Sequence, residues 1–184
     1  MKRFGFAVGL VLLVFAVSLW AQTTVPKPDL ELKKLGVIVG HWTYEGEYMA
    51  SPLGPGGKAK GEEFIQWILG GFFLQDLEIE KGALGEMRGA LLYAYDPVSK
   101  NIVCSGLGSD GGPASGIVKV SGNTITWEGK YVFGAKENLL KATYIVAVDL
   151  MSMTQKVEIS VDGKTWAPFF DAIFSKAKPA PKTK

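Results

Sequence analysis

About ten short runs of alternating apolar and polar residues, separated by glycine- and proline-marked turns, leave this chain almost no room for helix. In the first run Trp42, Tyr44 and Tyr48 alternate with Thr43, Glu45 and Glu47, the period of a half-buried strand. Ser51–Gly57 holds two prolines and three glycines and reads as a loop. Gly61–Leu69 and Phe72–Lys81 follow, joined at Gly70-Gly71, a natural hairpin turn. In the second of these Leu77 and Ile79 alternate with Asp76, Glu78 and Glu80, which predicts an acidic face toward water. Glu86–Tyr95 stops at Asp96-Pro97, and Ile102–Leu107 stops at the glycine-rich Gly108–Pro113. Gly116–Val120 turns at Gly122-Asn123 into Thr124–Glu128. Leu139–Asp149, Gln155–Val161 and Thr165–Ser175 complete the series, the last two hinged at Asp162-Gly163. Before the first strand, Asp29 can cap one short helix that carries Leu30 and Leu35 on one side and stops at Gly36. Regularly spaced short strands of this kind predict an all-β antiparallel barrel or sandwich in a single domain.

Composition narrows the function classes. An apolar fraction of 47% is incompatible with a disordered chain. Twenty basic against 18 acidic side chains, net +2, argue against nucleic-acid binding. One Cys excludes a disulfide framework, and one Cys with one His cannot build a zinc site alone. The 23 glycines fit the many turns. Lys2 and Arg3, the uncharged apolar run Phe4–Trp20 and the small Ala21 make the tripartite pattern of a secretory signal peptide over residues 1–21, with cleavage after Ser18 as the alternative. Residues 177–184 read as a disordered Lys/Pro-rich tail. Without the leader and the four lysines of Lys176–Lys184, the body carries a net charge of −4. The expected location is therefore periplasmic or extracellular. Charged residues recur on one face of several strands, so a soluble barrel with a wet exterior and a dry interior is expected rather than a membrane barrel.

Gly40-His41-Trp42, opening the first strand after a short helix, resembles the Gly-x-Trp start of the calycin barrels. In those proteins the Trp closes one end of the barrel, often under a basic side chain of the last strand, a place Lys176 could take. A longer series runs through Leu35 with Val39-Gly40-His41-Trp42, then Trp67–Leu74, Gly89–Asp96, Ser109–Gly112 and Ser160–Trp166. In this order, over roughly Asp29 to Lys176, the chain resembles the bacterial family called domain of unknown function 1579. It departs from the family pattern at Ala94, where a Gly is usual, and at Phe174-Ser175-Lys176, where an aromatic-x-Arg ending is usual. The resemblance implies a lipocalin-like (calycin-type) barrel domain over residues 29–176, and no activity.

Candidate chemistry is sparse. His41, opposite in parity to Trp42, is expected outside, and no His follows it. That argues against haem, which nitrobindin-type barrels ligate through a C-terminal His. Cys104 reads as a small buried hydrophobe, with no neighbouring cation or His to activate it. Asp110-Gly111-Gly112 offers too few oxygens for calcium and reads as a turn. Glu62 and Glu63 fall on opposite faces, and no paired carboxylates stand out. Gly54, Gly56 and Gly57 lack the strand-loop-helix setting of a phosphate loop. Arg88, the only arginine after the leader, is expected to point outward. The strand aromatics are the best lead: Trp42, Tyr44, Trp67, Tyr93, Tyr95, Trp127, Tyr144 and Phe170 share a parity that suits the interior. They fill a core or line a cavity. The sequence thus predicts an exported barrel binding a small apolar or amphipathic molecule, without metal or cofactor. An enzyme using an interior carboxylate or Tyr, or a module acting through its outer surface, are the alternatives.

Overall fold

A computed structural model of the chain describes residues 26–82, 85–133 and 136–177. The expected signal peptide over residues 1–21, and the expected tail beyond residue 177, lie outside the described residues. Ten strands follow in order: β1 (Gly40–Tyr48), β2 (Gly57–Ile68), β3 (Phe73–Gly82), β4 (Gly85–Asp96), β5 (Asn101–Gly108), β6 (Pro113–Ser121), β7 (Thr124–Phe133), β8 (Lys136–Val146), β9 (Ser152–Ser160) and β10 (Ala167–Lys176). Each pairs antiparallel with the next, and β10 returns to pair with β1. The all-β antiparallel barrel is therefore closed, and no strand edge is left to template aggregation.

Alternation decides what each strand buries. On β1 Trp42 and Tyr44 are buried, while Thr43, Glu45 and Glu47 face solvent. Leu74 on β3, Tyr93 on β4, Cys104 on β5 and Phe174 on β10 are buried with them in one core. Removing each such large side chain from water contributes about 1.5–3 kcal/mol.

The helix differs from the sequence reading. Asp29 does cap it, its Oδ1 accepting from the Glu31 amide at 2.8 Å. However, the α-helical part, α1, is only Leu30–Lys33, and Gly36 lies inside a 3₁₀ continuation, Lys34–Ile38. Leu30 is exposed, whereas Leu32, Leu35 and Ile38 are buried. Leu32 from the α-helical turn and Leu35 and Ile38 from the 3₁₀ turn together plug the lower end of the barrel. Trp42 anchors the plug, its indole N–H donating to the Ile38 carbonyl at 2.7 Å. Lys176 Nζ lies 4.9 Å from the Trp42 ring centroid, in the place the calycin resemblance implies for a basic side chain.

Two further expectations are corrected on β3. Its acidic face does not meet water: Asp76 and Glu80 are buried and Glu78 is half-buried, whereas Leu77 and Ile79 are exposed. The interior is accordingly not wholly apolar. The hairpin geometry is the cause. The turn at Leu69–Gly71, with Gly70 at φ 70° and Gly71 at φ 88°, pairs Trp67 with Leu74, Ile65 with Asp76 and Glu63 with Glu78. Paired residues share a face, so the inward parity of Trp67 and Ile65 carries Asp76, Glu78 and Glu80 inside.

Candidate functional site

Opposite the plugged end, the barrel opens into a cavity of about 220 Å³. Its wall is mostly apolar, with Met87 and Leu91 from β4, Phe133 from β7, Leu140 from β8 and Phe169 from β10. Phe169 reaches it through a register shift between Pro168 and Phe170, a bulge that re-aims the strand at the rim. The Phe169 carbonyl accepts from the Met49 amide at 2.8 Å, and the ring lies 5.3 Å from that of Tyr48.

The floor is acidic. Tyr44 Oη lies 2.5 Å from Glu78 Oε1 and 2.8 Å from Glu80 Oε2. Tyr48 Oη lies 2.9 and 3.1 Å from the two Glu80 oxygens. A phenol carries one proton, so Tyr44 can donate to only one of its two carboxylates. The other contact is a hydrogen bond only when that carboxyl is itself protonated and donates to the phenol oxygen. This pair, which the sequence reading missed, therefore has every contact satisfied when one proton is shared on it. Burial drives the same way: it raises Glu80 and Glu78 above the usual carboxylate range, the tyrosine hydrogen bonds offset part of this, and Glu80 raises Glu78 further. The phenols of Tyr44 and Tyr48 are raised too, by burial first and then by the adjacent carboxylates. Close approach makes the arrangement possible: Gly61 lies across from Tyr44, and a Cβ there would come within 2.5 Å of Tyr44 Oη.

Below the floor the acidic row continues. Glu63 and Asp76 are buried, both raised well above the ordinary range by burial first and then by neighbouring carboxylates. They line a small inner cavity of about 20 Å³, room for one water, with Tyr93, Trp127 and Tyr144. Among the described residues, Asp76 Oδ1 and Trp127 Nε1 are buried without a hydrogen-bond partner.

Of the eight aromatic candidates, Tyr93, Trp127 and Tyr144 thus border the small inner cavity, and Tyr144 Oη accepts from Gln155 Nε2. Tyr44 holds the two carboxylates at the floor of the mouth. Trp42 is fully buried over the plug, and Phe170 is buried with its ring 4.4 Å from that of Tyr48. Trp67 and Tyr95 are half-buried and pack against the core. None of the eight lines the open mouth, whose aromatics are Tyr48, Tyr131, Phe133 and Phe169.

The residues weighed for other chemistry are placed as follows. His41 is half-exposed, stacked on Phe64 at 4.2 Å and bonded to Glu62 Oε2 at 2.8 Å on the outer wall. Cys104 is buried, and burial pushes its thiol up to about 12. Asp110 accepts from the Gly112 amide and from Tyr131 Oη at the rim, within a turn. Arg88 is exposed at the rim and paired with Glu86 at 3.1 Å. Among the described residues, no group of three or more His, Cys, Asp or Glu could hold a metal ion.

The family profile described as protein of unknown function DUF1579 matches residues 27–176. The chain belongs to this DUF1579 family. Among curated proteins, none matches this sequence. Solved structures share the fold. Rv2717c from M. tuberculosis is 16% identical, with a TM-score of 0.62 over 83% of this chain and 100% of that one. The S-type phycobiliprotein lyase CPES from Guillardia theta is 10% identical, with a TM-score of 0.52 over 83% and 100%. As in these lipocalin-like barrels, the DUF1579 chain closes its sheet on itself. No helix among the described residues is long and apolar enough to cross a membrane.

Proposed function

We propose that this DUF1579 protein is an exported barrel that binds a small amphipathic molecule in its open mouth. The observation that carries the reading is the mouth cavity itself, an apolar wall over a floor of carboxyl and phenol groups, at the one end that the helix does not plug. Such a site takes an apolar body against Met87, Leu91, Phe133, Leu140 and Phe169 and a polar end against Glu78, Glu80 and Tyr48. Export rests on the leader pattern of Lys2, Arg3 and Phe4–Trp20. Native mass spectrometry of protein purified from its own host tests the reading. A co-purifying mass that is lost on denaturation is expected. A bare polypeptide that also fails to bind hydrophobic fluorophores would sink it.

One observation favours a second reading. Carboxyls raised by burial and bonded to phenols are what an acid/base catalyst on this barrel would use. Turnover of a bound compound that stops with Glu80→Gln, while binding persists, would support catalysis over carriage.

A further inference from the structure

The proposed binding function leaves open which polar end the mouth selects. We infer that it selects a cationic one, a protonated amine whose alkyl body lies against the apolar wall and whose ammonium docks on Glu78 and Glu80. This rests on the reading of the mouth as a binding site and adds its chemistry.

Charge is one-sided at this end of the barrel. Facing Glu78 and Glu80 are Tyr44 and Tyr48 from β1, Glu63 from β2, Asp76 along β3 and Tyr131 from β7. Tyr131 is itself bonded to Asp110. Every one of these groups is acidic or neutral. The nearest cationic side chain lining the mouth is Arg88, which is exposed at the rim and already paired with Glu86. An anionic head would meet the Glu78 and Glu80 carboxyls on the floor with no cation facing them, a desolvation without compensation. A neutral head would find acceptors but no charge. An ammonium brings three donors and the missing positive charge to a low-dielectric floor, where charge-assisted hydrogen bonds are strongest.

The depth of the row supplies an independent observation. Asp76 Oδ1, in the inner cavity below the floor, is buried without a hydrogen-bond partner among the described residues, so no protein donor offsets the acidic row beneath the mouth either. Hydrogen counting at Tyr44 adds a consequence: one proton shared on the Glu78/Glu80 pair satisfies every contact of the free site. An ammonium takes over the role of that proton. The protonated pair and R–NH₃⁺ become a complex of R–NH₃⁺ with both carboxylates ionised, and one H⁺ goes to solvent.

The test is calorimetric titration of the purified protein at pH 7 with n-octylamine, n-octanol and octanoate, repeated in phosphate and in Tris. Octylamine is expected to bind at least tenfold more tightly than octanol, with octanoate weakest. Its apparent enthalpy should differ between the buffers because a proton is released. Glu80→Gln and Glu78→Gln should bring octylamine to the octanol level and leave octanol unchanged. The wild-type comparison of probes stands alone if either variant misfolds. Equal affinity for the three probes, or no buffer dependence, overturns the cationic selection while the mouth remains an amphipath site. No binding of any probe overturns both.

Discussion

At the scale of single residues, the unusual feature is an acid with no partner. Asp76 is buried, and one of its oxygens meets no donor among the described residues. Burial raises it well above the usual carboxylate range, and Glu78 adds to this. For an acid raised in the folded state, the cost appears as pH climbs past the unfolded value near 4 and grows until the folded value is reached. Asp76→Asn removes the ionisable group and keeps the shape. It is expected to stabilise the barrel by about 1–3 kcal/mol at pH 8 and to change little at pH 4. Denaturant melts of the two proteins at both pH values check this; destabilisation at pH 8 would mean that the carboxylate is compensated. Cys104 shows the opposite kind of legibility. Its apolar neighbours in the sequence were enough to predict a buried thiol, and the structure buries it.

At the scale of elements, β3 is where local pattern and tertiary geometry part. Alternation alone puts charged residues outside, which is why Asp76, Glu78 and Glu80 read as a solvent face. The hairpin overrides it. A tight Gly70-Gly71 turn ties the parity of β3 to that of β2, and the alternation of β2 puts Trp67 in the interior. The signal was thus present in two separate readings that were inconsistent with each other: an inward Trp67 and a short turn together require an inward Asp76. What the chain could not reveal locally is that Tyr44 and Tyr48 lie within reach of those acids, because β1 and β3 are brought together only through β2. The mouth lining was hidden for a similar reason, since Phe169 enters it through a bulge that alternation does not foresee. The corrected facing has a direct check. Leu77→Lys, on the outside, should change stability by no more than about 0.5 kcal/mol, whereas Leu74→Ala, on the inside, should cost about 2–5 kcal/mol. Equilibrium unfolding of both variants decides it, and the reverse ranking would restore the wet acidic face.

At the scale of the whole molecule, strand number, closure and the Trp42–Lys176 end were all readable, because turn residues, alternation and the calycin resemblance pointed the same way. The consequence that was not readable is the direction of the pH dependence. Glu63, Asp76, Glu78 and Glu80 are all raised on folding, so their contribution to stability is greatest near pH 4 and falls as pH rises through their folded values. Asp162 works the other way in a lower window. Backbone donors from Thr165 and Lys164 hold it at about 2, so its stabilisation is present above about pH 4 and lost as pH falls toward 2. Together they place the stability maximum near pH 4–5 and predict a weaker fold at pH 8 than at pH 5. Urea unfolding across that range measures the profile, and stability that rose from pH 5 to pH 8 would contradict it.

The central claim is that β3 turns its acids into a barrel whose mouth they floor. A ¹³C-carboxyl NMR titration of the protein, covering its 18 Asp and Glu side chains, tests it most directly. Four resonances, assigned to Glu63, Asp76, Glu78 and Glu80, should stay protonated well above the pH at which the exposed carboxyls ionise. Ordinary titration of these four with the rest would contradict the account.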